Sequence, residues 1–287
     1  MRRWLAAGLL ALASLPLPAL ELVDDRGRSV RLPGPAQRVV SLLPSLTETV
    51  CELGACERLV GVDDYSDWPP QVQRLPRLGG VADVPLERVV ALQPDLVLLS
   101  ASSRAIDRLQ ALGVPVMGLE LKTLADVERV LHKVGQALGA PGAGPLWRRI
   151  ETGLDDAARR IPPERRGTTV YFEIDSGLYA ASASSHVGEM LARLHTVNVV
   201  PGDLGSVPRI SPEFVVRQDP QLIMVPQRQA AGLANRPGWG RMRAVREGRV
   251  CAFAPSRSDV IVRPGPRLGE AAGLLADCII GAGAPRP

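Results

Sequence analysis

From residue 38 onward, short runs of Val, Ile and Leu alternate with segments whose apolar residues recur at helical spacing. The runs at residues 38–43, 59–63, 95–100 and 115–119 are apolar almost throughout instead of alternating with polar positions. Strands of that kind are covered on both faces, as in a parallel sheet sandwiched by helices. Helices are predicted between them at residues 45–53, 86–92 and 103–112. Ser45 and Glu48 have the spacing of a capping box, and Gly54 closes the first helix. The second half repeats the plan, with strands at 168–174, 197–200, 222–225 and 249–253 and helices at 185–194, 212–218 and 266–280. Two helical patterns, Leu124–Leu138 and residues 144–161, lie between the halves. The second has Trp147, Ile150, Leu154, Ala157, Ala158 and Ile161 on one stripe, bounded by Pro141 and by Pro162 and Pro163. The fold class is therefore α/β: two units with mostly parallel sheets, joined by one long, stiff helix.

An internal repeat supports two lobes. Glu87-Arg-Val-Val-Ala-Leu-Gln-Pro-Asp-Leu-Val-Leu-Leu-Ser100 aligns without gaps with Glu213-Phe-Val-Val-Arg-Gln-Asp-Pro-Gln-Leu-Ile-Met-Val-Pro226. The Glu, the Val pair, the Pro and the following Leu coincide, as does the order of helix and buried strand.

The first residues follow another rule. Arg2 and Arg3 precede an apolar run over 4–15 and a Pro- and Ala-containing stretch up to Leu20. This is the layout of a secretory signal peptide, with cleavage expected near Ala19. The run is short for a membrane span. The first cysteine is Cys51, far past any cleavage point, which argues against a lipid-anchored cysteine. The expected divisions are a signal peptide over 1–20, an N-terminal lobe over 21–140, a connecting helix over 141–163 and a C-terminal lobe over 164–287. A periplasmic location follows.

Composition narrows the chemistry. The formal charge of +4 includes Arg2 and Arg3, and arginine is spread along the 287 residues without clustering, which speaks against nucleic-acid binding. Four cysteines in an exported chain permit three pairings; Cys51 with Cys56 and Cys251 with Cys278 are the local ones. There is no CxxC, and His132, His186 and His195 form no metal-ligand pattern, so no metal and no intrinsic cofactor are expected. No GxSxG, HExxH, Walker or strand-placed GxGxxG motif is present, so an enzyme is not expected.

Several segments together carry a specific resemblance. Val23-Asp-Asp-Arg-Gly-Arg28, Arg38-Val-Val-Ser-Leu-Leu-Pro-Ser-Leu-Thr-Glu48 and Val60-Gly-Val-Asp-Asp-Tyr-Ser-Asp-Trp-Pro-Pro70 come first. Leu86-Glu-Arg-Val-Val-Ala-Leu-Gln-Pro-Asp-Leu96 and Arg263-Pro-Gly-Pro-Arg267 follow. In this order they resemble the periplasmic substrate-binding proteins of iron-siderophore and vitamin B12 ABC importers, and within them the cobalamin-binding branch. The resemblance implies two Rossmann-like lobes, an interlobe cleft and a small-molecule ligand, cobalamin or another corrinoid. It also implies a membrane permease as partner; the protein itself is expected to be a monomer.

In open α/β sheets ligands sit beyond the carboxyl ends of the strands. The candidate ligand-binding residues are accordingly Ser45, Tyr65, Trp68, Tyr179, Trp239 and Arg263. Tyr65 and Trp68 offer flat apolar faces with a polar handle, and Trp68, before Pro69 and Pro70, can equally anchor a loop. Glu87 and Glu213 are the residues the resemblance assigns to permease docking. Each also stands in a helix first turn, where a carboxylate gains about 0.3–1 kcal/mol from the dipole. The chain departs from a corrinoid pattern in its few aromatics, 3% of residues, with Val81, Val207 and Val260 at rim positions where tryptophan is expected. Arg209, Arg257, Arg263 and Arg267 keep a ferric-siderophore or haem ligand open as an alternative. Arg263 and Arg267 precede a helix, where a cation is disfavoured unless an anion or acceptor lies close.

Overall fold

The computed structural model describes residues 20–80 and 83–281. The predicted signal peptide thus lies, but for Leu20, outside the described residues, as does Val81. Strand β1 (Leu20–Val23) pairs antiparallel with β2 (Ser29–Leu32). Their turn is built on Asp24, whose carboxylate accepts the Arg26 and Arg28 amides at 2.9 and 2.8 Å. Sequence reading assigned no strand here: each arm is only four residues, too short to show a period.

The N-terminal sheet contains β3 (Val39–Ser41), β4 (Leu59–Val62), β5 (Leu96–Ser100) and β6 (Val116–Leu119), in the order β4-β3-β5-β6. The C-terminal sheet contains β7 (Thr169–Phe172), β8 (Val197–Asn198), β9 (Leu222–Pro226) and β10 (Val250–Phe253), in the order β10-β9-β7-β8. Every pairing in both sheets is parallel. In each, the first strand has the second on one flank and the third and fourth on the other. The two sheets therefore share one topology. Val39, Val40, Leu96–Leu99 and Leu222–Val225 are at most 1% exposed, as the uniformly apolar runs predict.

In the N-terminal half the helices are α1 (Pro44–Glu52), α2 (Leu86–Ala91), α3 (Ala105–Ala111) and α4 (Leu124–Leu138). Between the sheets runs α5 (Ala143–Arg159). The C-terminal half adds α6 (His186–Arg193), α7 (Pro212–Gln218), α8 (Gln227–Ala230), α9 (Arg243–Arg246), α10 (Pro255–Val262) and α11 (Leu268–Gly281). The repeat maps onto equivalent pieces, α2 with β5 and α7 with β9. Helices α8 and α9 are single turns in a Gly- and Pro-rich stretch, too short to show a helical period in the sequence.

The expected Ser45–Glu48 capping box does not form. The N-cap of α1 is Leu43, Pro44 opens the helix, and Glu48 is buried at 2% with other partners. A capping box does form at α4, where Thr123 and Asp126 satisfy each other's amides, and Gly139 at φ 62° ends the helix.

Helix α5 buries Leu146, Ile150, Leu154 and Ala157 and packs mainly on α11, which buries Leu268, Ala271, Ala272, Leu275 and Ile279. The single cluster that these helices join reaches both sheets, from Val39 to Met224. Truncating one such side chain to Ala costs about 2–5 kcal/mol. Of the three possible pairings, the disulfides are Cys51–Cys56 and Cys251–Cys278. No helix among the described residues is long and apolar enough to cross a membrane.

Candidate functional site

The segments that follow β6 and β7 beyond the carboxyl ends of the two sheets meet. After β6, the Lys122 carbonyl accepts the His186 amide at 2.6 Å, and Glu189 accepts the Leu124 amide at 2.6 Å. A cavity of about 280 Å³ opens at this junction. Leu43 and Ser45 after β3, Ser100 at the end of β5 and Glu120 after β6 form one wall; Arg263 and Pro264 form the other.

The loop after β4 carries Tyr65 and Trp68, and a buried polar network fixes its shape. Asp63, 1% exposed, accepts the Tyr65 amide at 2.8 Å and the Ser66 hydroxyl. Thr47 links Ser66 to Ser41, both hydroxyl contacts at 2.8 Å. Burial pushes the Asp63 carboxyl above its ordinary range. Arg77 holds the carbonyls of Asp63 and Ser66 at 2.9 and 2.6 Å. On this frame Tyr65 projects 64% exposed and Trp68 43% exposed. The Arg267 guanidinium lies 5.3 Å over the Trp68 ring, so one face of that ring is already used.

Arg263 and Arg267 have the anion their position demands. Arg267 grips Glu48 with two bonds, at 2.8 and 2.6 Å. Arg263 donates to Glu48 at 3.1 Å, to Asp67 at 2.7 Å and to the Tyr65 carbonyl at 3.1 Å, and pairs with Asp259 at 3.3 Å. Arg263 lines the cavity, yet its guanidinium is committed to protein oxygens. Glu48 was misread as a capping residue; a charge inside an otherwise apolar segment was the available signal of a buried pair.

The loop after β7 carries the third exposed ring. Tyr179, 41% exposed, bridges to Arg209, whose Nε donates to the Gly177 carbonyl at 3.2 Å. Val207 is exposed, whereas Val260 is buried in α10 at 4% and so is not a rim residue. Arg257 is exposed in the first turn of α10, without a partner among the described residues.

Trp239 corrects the sequence reading. It is 0% exposed, packed edge-to-face on Tyr171 with centroids 5.8 Å apart and covered by Arg236 at 4.5 Å. A core tryptophan cannot stack on a ligand. Beside it, Arg236 holds the buried Glu173 through two bonds at 2.6 and 2.8 Å, a pair sequence reading missed. His186 is buried as well. Its Nε2 donates to the Ile261 carbonyl at 3.1 Å, and burial pushes its pKa down to about 4. Among the described residues no group of His, Cys, Asp and Glu has the arrangement of a metal site.

Glu87 and Glu213 take equivalent places, second residue of α2 and of α7. A helix that precedes a parallel strand begins at the sheet's carboxyl end, so both stand on the side of the cleft. Both are exposed and unpaired among the described residues.

Two like-built parallel sheets bridged by a long helix are the architecture of a bilobal binding protein. The chain belongs to the periplasmic binding protein family, whose profile matches residues 39–256. It is 29% identical over 269 residues to an uncharacterized ABC transporter substrate-binding lipoprotein, YvrC, of Bacillus subtilis, covering 89% of this chain and 84% of that one. It is 29% identical over 227 residues to the vitamin B12-binding protein of Yersinia pestis, covering 77% and 75%. Among solved structures, the periplasmic heme-binding protein RhuT of Roseiflexus superposes with a TM-score of 0.74 at 27% identity, covering 87% of this chain and all (100%) of that one. The protein is thus the extracytoplasmic substrate-binding component of an ABC importer, with a small-molecule ligand and permease subunits as its partners.

Proposed function

We propose that the protein captures a corrinoid in the interlobe cleft and delivers it to its importer without chemical change. The observation that carries this reading is a pair of exposed rings on the loops that follow β4 and β7, Tyr65 at 64% and Tyr179 at 41%. Rings so placed stack on a flat macrocycle at little conformational cost. The cavity of about 280 Å³ has room for a substituent and not for a whole macrocycle, so the ring system would lie outside it. Ser45 lines that floor. Trp68 adds an apolar edge. The kinship to vitamin B12-binding proteins favours the same ligand class.

Glu87 and Glu213 dock the loaded protein on the permease, two equivalent carboxylates meeting two equivalent basic surfaces. Residues 1–20 direct export and are removed. Cys51, joined to Cys56, does not serve as a lipid anchor.

A second reading, haem, is favoured by the Tyr65 phenol, which has no hydrogen-bond partner among the described residues and can ligate iron, and by the unpaired Arg257, which suits a carboxylate. Visible spectroscopy of the mature protein with cyanocobalamin and with haemin separates the two. A band shift with the corrinoid that Tyr65→Ala moves to higher ligand concentration supports the first reading; a shift with haemin alone replaces it with the second.

A further inference from the structure

We propose that Arg263 is the positioning residue for Tyr65: its guanidinium moors the cleft loop 63–68 to the turn between α10 and α11. This rests on the reading of Tyr65 as a ligand-stacking side chain. The loop's inner side is held by its own lobe, through Asp63 and Arg77. Its outer side is held by Arg263, which reaches the Tyr65 carbonyl and the Asp67 carboxylate from 198 and 196 residues away in the chain. The carbonyl contact fixes the peptide that follows Tyr65, and with it the direction of the ring. Arg267 continues the mooring by covering Trp68.

The anchor itself is rigid. Glu48 is buried at 2% in α1 and receives both arginines, whose side chains are only 12% and 16% exposed. A planar fork can satisfy Glu48, Asp67 and a carbonyl at once, which a lysine ammonium cannot do with the same geometry. The Arg267–Glu48 pair keeps the buried carboxylate compensated when Arg263 is changed, so the fold survives the test. Both exposed rings of the N-terminal rim are thereby tied to the end of the chain whose α11 packs on the connecting helix α5. The stacking surface is set by a contact between chain segments and not by its own loop alone.

The experiment compares wild type, Arg263→Gln, Arg263→Lys and Asp67→Asn by hydrogen exchange of the peptide spanning 63–68 and by cyanocobalamin titration. Asp67 is 55% exposed, so its change loosens the mooring without stranding a buried charge. Faster exchange confined to 63–68 in all three variants, with melting unchanged in Asp67→Asn, is the expected result. Unchanged exchange in that peptide overturns the mooring, as does exchange that rises equally throughout the molecule. For affinity, Arg263→Gln is expected to weaken cyanocobalamin about tenfold in the wild-type background and less than about twofold in the Tyr65→Ala background. Equal losses in both backgrounds overturn positioning and make Arg263 act independently of the ring. If wild type binds neither cyanocobalamin nor haemin, the functional reading falls, and the exchange measurement still decides the mooring.

Discussion

Gly153 of α5 and Gly269 of α11 meet backbone to backbone: a Cβ at Gly153 would lie 2.8 Å from the Gly269 Cα. Neither partner is a flexible side chain that can turn aside. The absence of side chains at these two positions sets how closely the connecting helix and the last helix approach.

The prediction is a contrast in sign within one pair of helices. Gly153→Ala is expected to destabilise by about 1–3 kcal/mol, overpacking outweighing the gain in helix propensity. Gly273→Ala, in α11 with nothing within 4 Å, is expected to stabilise by up to about 1 kcal/mol. Thermal or urea unfolding of the two variants checks it; equal shifts of the same sign contradict the close crossing.

The architecture was legible in the sequence where one residue pattern had one reading. Uniformly apolar runs gave the sheet strands, the stripe from Trp147 to Ile161 gave the connecting helix, and the Glu87 and Glu213 repeats gave two equivalent lobes. Trp239 and Glu48 were misread for a common reason: what each faces is decided by residues far along the chain. Trp239 follows a Gly in a loop-like stretch, and nothing local reveals that Tyr171, far back in the chain, packs edge-to-face on it. Glu48 is 215 and 219 residues from its arginines, and its charge within an apolar segment and the unexplained cations at 263 and 267 were the two signals of the pair.

His186 makes stability depend on pH. Its folded pKa of about 4 lies below the ordinary 6.5, so between these values the unfolded chain binds a proton that the folded one refuses. Stability from this group is fully present above about pH 6.5 and is lost as pH falls toward 4, with an upper bound of about 3 kcal/mol. The stability difference between wild type and His186→Gln should shrink as pH is lowered from 7 to 4.5. A difference constant across that window would falsify the assignment of a buried neutral imidazole.

The two disulfides should differ in worth. Cys251–Cys278 ties β10 to α11 across 27 residues of sequence, whereas Cys51–Cys56 spans 5. Since cross-link stabilisation grows with the closed loop, replacing the first pair by Ser is expected to cost about 2–4 kcal/mol and the second pair less. Denaturant midpoints of the two double variants test the order, and the reverse order contradicts it.

Reversing Glu87 and Glu213 together to Lys should leave ligand affinity within about twofold and abolish most uptake in cells, because rim charges act on docking and not on the cleft. Each single reversal should retain part of the uptake. Normal transport by the double variant removes both residues from the permease interface.

The central claim is capture of a corrinoid on Tyr65, and calorimetric titration of the mature protein with cyanocobalamin tests it most directly, with cobinamide and haemin run in parallel. The account predicts saturable binding of one cyanocobalamin per protein, weakened about tenfold or more in Tyr65→Ala. Absence of corrinoid heat alongside saturable haemin binding, or corrinoid binding indifferent to Tyr65, contradicts it.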